Sequence, residues 1–121
     1  MTKMPFRKLQ VWEKSMALAK LFYKLTQAFP THELYGLTSQ MRRAAISVAS
    51  NIAEGSQRST DRDFANFLQI ARGSLAELET QLLLSEDLGY ISDEAFTAAE
   101  KSIDELAKML NAFHSKLIAS R

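Results

Sequence analysis

Cysteine is absent from the sequence, and residues that interrupt regular structure are few, with four glycines and two prolines among 121 residues. Without cysteine the chain has no disulfide framework, no thiolate metal site and no thiol nucleophile. Long apolar runs are also missing, because stretches such as Leu82-Leu83-Leu84 fall far short of the roughly 20 residues that cross a bilayer. The first residues lack the apolar block of a secretory signal. We therefore predict a cytoplasmic protein with no membrane partner.

What the sequence does contain is typical of a globular domain. Of its residues 46% are hydrophobic and 24% are charged, as in ordinary soluble proteins. The length suits one hydrophobic core, so we predict a single domain over residues 1–121.

The glycines and prolines divide the chain into four long segments. None shows the alternation or the β-branched runs of a strand, and each repeats its apolar residues at helical spacing. We predict helices over about 8–28, 37–54, 61–88 and 93–118. Because the connections between them are short, the predicted fold is an all-α, antiparallel up-down-up-down four-helix bundle.

Two glycines fall at informative places in this pattern. Gly55 ends the second segment and fits a left-handed helix C-terminal cap. Gly73 lies in the middle of the third, where it costs about 1 kcal/mol relative to alanine. We expect a close contact with another helix to be the reason for Gly73.

The net charge of +1 conceals a marked asymmetry. Residues 1–62 contain ten basic and four acidic residues, whereas residues 63–121 contain five basic and ten acidic ones. In an up-down bundle the N-terminus, the turn near residues 55–60 and the C-terminus meet at one end, which makes that end basic and the opposite end acidic. The basic end supplies the candidate residues of a nucleic-acid surface, Arg7, Lys8, Arg58 and Arg62.

Catalytic and cofactor motifs are missing. Helical di-metal sites use Glu-x-x-His pairs, and neither His32 nor His114 has a glutamate three residues before it. Gly55 and Gly73 stand outside any phosphate-binding glycine motif. We therefore predict no enzyme activity, no catalytic residues, no metal, no cofactor and no small-molecule substrate.

Arg42 and Arg43 form the sharpest polar signal in the chain. Their guanidinium groups suit phosphate or carboxylate binding, and they are a separate candidate for nucleic-acid or partner binding. The competing interpretation is a structural ion pair. Counting back from the second turn places Arg43 level with Arg72, one or two turns from Glu77 and Glu79.

Two helices have more apolar surface than one bundle covers. Beside its main stripe the first helix carries a second one, and the third helix carries a second apolar line. Surplus apolar surface indicates self-association, and the charge asymmetry favours head-to-tail contacts that close into a ring. The predicted subunit interface consists of Trp12, Met16, Tyr23, Phe67, Ile70 and Ser74.

Several short motifs give the chain a family resemblance. They are Phe6-Arg7-Lys8-Leu9 with Val11-Trp12, Tyr35-Gly36-Leu37, Gln40-Met41-Arg42-Arg43-Ala44, Ser50-Asn51-Ile52-Ala53-Glu54-Gly55, and Phe67-Leu68-x-x-Ala71-Arg72-Gly73-Ser74-x-x-Glu77-Leu78-Glu79. In combination they resemble the proteins encoded in intervening sequences of 23S rRNA genes, once labelled ribosomal proteins. The likeness covers roughly residues 6–110.

This resemblance implies a four-helix bundle that assembles as a homopentameric ring and has no established enzymatic activity. Similar proteins accompany diversity-generating retroelements and bind nucleic acid through a basic surface. Two hypotheses follow. In the first, the chain is a non-catalytic homo-oligomer, a pentamer, that serves as an interaction protein. In the alternative, it is an RNA- or DNA-binding oligomer that uses the basic end of its bundle.

Overall fold

The computed structural model describes residues 5–119, which form four long α-helices and, within that range, no strand. The prediction of an all-helical chain with four helices is confirmed. The helices are α1 (Gln10–Thr26), α2 (Leu37–Ser56), α3 (Asp61–Asp87) and α4 (Asp93–Ala119). Short 3-10 turns at Phe6–Lys8 and Thr31–Glu33 precede α1 and α2.

The helices pack around one another in chain order. The most extensive contact joins α2 and α3, followed by α3 with α4 and α1 with α2, and the smallest joins α1 and α4. Within residues 5–119 no close backbone contact links α1 to α3 or α2 to α4. The four helices therefore surround one core, in which each helix has two neighbours.

One side chain from nearly every turn of each helix fills that core. Among the largest fully buried ones are Phe22 in α1, Met41 in α2, Leu78 in α3 and Leu106 in α4. In α3 and α4 the buried positions recur at steps of three and four, the spacing at which side chains of packed helices interlock. Burial of these stripes is what holds the helices together.

The starts and ends of the helices follow their local sequence. The Thr60 hydroxyl accepts a hydrogen bond from the Asp63 amide (3.1 Å), and Ser92 does the same for Ala95 (3.2 Å). Such caps satisfy amides that have no partner inside the helix. After α3 the chain turns at Gly89, whose φ of 77° lies in the left-handed region that suits glycine.

A polar clamp joins the two connectors at one end of the bundle. The Tyr90 hydroxyl donates to Glu33 Oε2 (2.8 Å), while Glu33 Oε1 accepts the amide of Leu37 at the start of α2 (3.2 Å). These two hydrogen bonds hold the pKa of Glu33 below its ordinary value. One carboxylate therefore both caps α2 and fixes the α3–α4 connector.

The two glycines have roles different from those predicted. Gly55 is not a left-handed cap, because its φ is not positive and α2 continues to Ser56. It is buried, and a Cβ there would lie 2.5 Å from the Cβ of Phe67, so it permits α3 to approach α2. The predicted close contact at Gly73 is also wrong, since no atom of another helix in the described chain lies within 4 Å of where its Cβ would be.

Alanine substitutions at these two glycines should change stability in opposite directions. Gly73→Ala should raise the free energy of unfolding by up to about 1 kcal/mol, because alanine favours the helix and meets open space. Gly55→Ala should lower it by about 1 to 3 kcal/mol, because the new methyl group forces α2 and α3 apart. Urea denaturation of both variants at low protein concentration measures this, and equal shifts in one direction would contradict the packing described for Gly55.

Candidate interaction surface

Arg42 is fixed in place by the end of α1. Its Nε donates to the hydroxyl of Thr26 (2.9 Å), its Nη2 donates to the carbonyl of Tyr23 (3.3 Å), and the guanidinium lies 4.7 Å from the centre of the Tyr23 ring. Both acceptors and the ring are uncharged. Arg42 therefore links α2 to α1 without losing its positive charge to a carboxylate.

Arg43, one position on, extends from the protein surface. It is exposed, and within the described part of the chain it forms neither a hydrogen bond nor an ion pair. The predicted ion pair of Arg43 with α3 is therefore not formed; Arg72 instead donates to Gln69 (3.0 Å). Neither arginine thus forms the predicted ion pair. Arg42 instead has a structural role through uncharged groups, and Arg43 is exposed.

The two arginines border a shallow groove with an apolar and aromatic lining. It has a volume of about 420 Å³ and lies between the end of α1, the following connector and the first half of α2. The residues that line it are Tyr23, Leu34, Tyr35, Thr38, Ser39, Arg42, Arg43 and Ile46. We call this the arginine groove. Tyrosine and arginine are the residues that most often dominate binding at protein interfaces.

The sequence analysis missed the most exposed aromatic residue of this groove. Tyr35 is 93% exposed and sits in the connector that Glu33 holds in place. Leu34 and Ile46, both also largely exposed, were missed as well. The only available signal was a run of apolar residues in a connector, Leu34-Tyr35, where polar residues are the norm.

The predicted interface residues of α3 divide into two kinds. Phe67 packs against Gly55, and the Arg58 guanidinium lies 4.6 Å from the centre of its ring. Ser74 shares a hydrogen bond of 2.8 Å with Ser47 of α2. Both are therefore engaged within the subunit, whereas Ile70 remains 51% exposed.

The predicted interface residues of α1 lie on its α2 side. Trp12 is half-buried, with its ring 5.2 Å from that of Phe6, and Met16 is also half-buried. Tyr23, which contacts Arg42, is 41% exposed. The apolar lines of α1 and α3 thus both border α2, and together with α2 they form one side of the bundle, which we call the α2 face.

At the other end of the bundle the predicted basic residues are only partly brought together. Lys8 and Lys116 line one groove of about 500 Å³ between the start of α1 and the end of α4, and its apolar lining includes Val11, Met109 and Phe113. Arg7 and Arg62 are exposed. Arg58 differs from them, because it pairs with Glu54 at 2.9 Å.

An acidic cluster occupies the turn between α3 and α4. Burial and the neighbouring carboxylates of Asp93, Asp87 and Glu100 raise the pKa of Glu86 above its ordinary value. In the described chain none of these four residues forms an ion pair. Leu83 and Leu84, 44% and 47% exposed, lie beside them. The sequence predicted an acidic end but not this apolar component.

Metal and membrane sites find no support within residues 5–119. No group of three or more histidine, aspartate or glutamate side chains there is placed to hold a metal ion. None of the described helices has both the length and the apolar character to cross a membrane.

Taken together, these features define a small all-helical protein with surface grooves of charged and apolar residues. Residues 7–112 match the family model described as 23S rRNA-intervening sequence protein. The chain belongs to that family, as the sequence motifs indicated.

A solved structure of a related protein supports this assignment. The chain is 27% identical to a protein of unknown function from the S23 ribosomal protein family of Bacteroides thetaiotaomicron, with a TM-score of 0.77. The match covers 86% of this chain and 97% of the other. No protein with curated annotation matches the chain. Neither the family description nor the related structure names a function for proteins of this kind.

Separate alanine substitutions should distinguish the two arginines. Arg42→Ala should lower the free energy of unfolding by about 1 to 2 kcal/mol, because it removes two hydrogen bonds and a cation–π contact at a partly buried position. Arg43→Ala should change it by less than about 0.5 kcal/mol, as is usual for exposed residues. Chemical denaturation measures both values. Equal destabilisation would show that Arg43 also has a structural role.

Proposed function

We propose that this protein is a non-catalytic interaction module that acts as a homo-oligomeric ring, a pentamer, in the cytoplasm. Its subunit would be an antiparallel up-down-up-down bundle. Contacts between consecutive helices support this topology, and so do the residue pairs between α2 and α3. Met41 contacts Ser85, Ser47 contacts Ser74, and Gly55 contacts Phe67. The residue numbers increase along α2 as they decrease along α3, as in antiparallel helices.

The observation that carries the proposal is the apolar surface left exposed on the α2 face. Tyr23, Ile46 and Ile70 are 41%, 45% and 51% exposed, one from each of the three helices that form this face. Exposed apolar residues grouped on one side of a protein mark an interaction site.

The oligomer should be detectable in solution and sensitive to charge on the α2 face. Light scattering at micromolar concentration should give a mass that is a multiple of the 13.6 kDa subunit. Ile70→Glu should reduce it to that of the monomer, because the contact would then bury an unpaired carboxylate.

Ile118→Glu in α4 is the matched control, since Ile118 is also 51% exposed but lies away from this face. That variant should keep its oligomeric mass. A wild-type protein that is a stable monomer would refute the proposal.

A second candidate function is nucleic-acid binding by the basic end. The observation that favours it is the placement of Lys8 and Lys116 on one groove, near the exposed Arg7. A subunit with a net charge of +1 binds phosphates weakly, but a ring that aligns five basic ends would concentrate positive charge.

A salt titration tests this candidate. Single-stranded RNA and DNA should bind at low ionic strength, with an affinity that falls steeply as salt rises because bound counterions are released. The double variant Lys8→Ala/Lys116→Ala should reduce both the affinity and the salt dependence, whereas Lys24→Ala at the opposite end should not. Absence of binding at low salt would exclude this function.

A further inference from the structure

We infer that the arginine groove of one subunit binds the acidic α3–α4 turn of a second copy of the same chain. This inference rests on the proposed homo-oligomer and adds, to the apolar contact of the α2 face, a second pair of surfaces that meet. The arginine groove contributes Arg43 and Tyr35. The acidic turn contributes Glu86 and Asp87, with Leu83 beside them.

Each surface carries charge that its own subunit does not neutralise. Arg42 is bound to uncharged acceptors, and Arg43 has no partner within the described chain. In the turn, carboxylates face one another without forming an ion pair in the described chain. Bringing the two surfaces together would relieve the repulsion in one and give the arginines carboxylate partners, which guanidinium groups bind well.

Both surfaces also expose apolar side chains. Tyr35 and Leu34 are 93% and 44% exposed in the arginine groove, and Leu83 and Leu84 are 44% and 47% exposed at the turn. An interface of an apolar centre with charged residues at its rim is the common arrangement in protein complexes. Nucleic acid could match the arginines alone but would be repelled by the turn.

The two surfaces lie at one level of the bundle, on opposite sides of it. Met41 contacts Ser85, so Arg42 and Arg43 lie at the same level as Glu86. The arginine groove faces outward between α1 and α2, whereas Glu86 faces α4 residues Asp93 and Glu100. Because α1–α2 and α3–α4 are opposite sides of the bundle, two different surfaces at one level would meet, and such a head-to-tail contact forms a ring when the rotation between successive subunits closes.

Charge reversal on each surface tests the inference. Arg43→Glu should leave the fold intact, because Arg43 is exposed and forms no hydrogen bond or ion pair in the described subunit. Asp87→Arg should also fold, since a positive charge suits the end of α3 and lies next to Glu86. Each change alone should weaken subunit association at least about tenfold, as expected when like charges meet at an interface. Analytical ultracentrifugation measures the association and circular dichroism the fold.

The double variant Arg43→Glu/Asp87→Arg is the decisive sample, because it restores opposite charges across the contact. Its association should recover to within about threefold of wild type, a difference small beside the loss caused by like charges. Arg62→Glu, an exposed arginine at the other end of the bundle, is the control and should associate normally.

The outcomes separate the two proposals. If wild type is monomeric, the homo-oligomer itself is refuted. If wild type associates but Arg43→Glu and Asp87→Arg both associate equally well, the homo-oligomer stands and this interface is overturned. Weakening by Arg43→Glu without recovery in the double variant would also overturn it. A symmetric contact of two arginine grooves would keep like charges opposite each other in Arg43→Glu, and it predicts that Asp87→Arg alone associates as wild type does.

Discussion

The close approach of α2 and α3 is the constraint on which the rest of the structure depends. These helices share the most extensive contact of the bundle, and small residues permit it: Gly55 leaves room for Phe67, and Ser47 meets Ser74. With α2 held this close to its neighbours, Tyr23 of α1, Ile46 of α2 and Ile70 of α3 all remain exposed. Packing within the subunit thus creates the α2 face, to which three helices contribute apolar residues.

The same packing separates residues that maintain the fold from residues that are free to bind. Phe67, Ser74 and Arg42 contact other residues of the same subunit. Their substitution should therefore lower the free energy of unfolding. The side chains of Ile70, Tyr35 and Arg43 are instead exposed. Arg42 also borders the arginine groove, and the bonds that fix it leave its charge unneutralised. A side chain held in place before a partner arrives loses less conformational entropy on binding.

Periodicity in the sequence was sufficient for the helices but not for the contacts between them. Apolar spacing identified four helices, although the predicted first helix, 8–28, is α1 at Gln10–Thr26 with a separate turn before it. The roles of Gly55 and Gly73 could not be read, because a glycine that ends a helix and one that admits a neighbour look alike in sequence. Likewise, the guanidinium of Arg42 reaches α1 and not α3, which depends on how α1 and α2 pack.

The clamp between Glu33 and Tyr90 has a consequence for motion. One carboxylate caps the first turn of α2 and holds the turn before α4, so neither connector can detach without removing a hydrogen bond from the other. Separate loops of a small bundle usually fray independently. Here the two connectors are expected to open together and not separately. While both hydrogen bonds are formed, the arginine groove and the acidic turn keep a fixed position relative to each other.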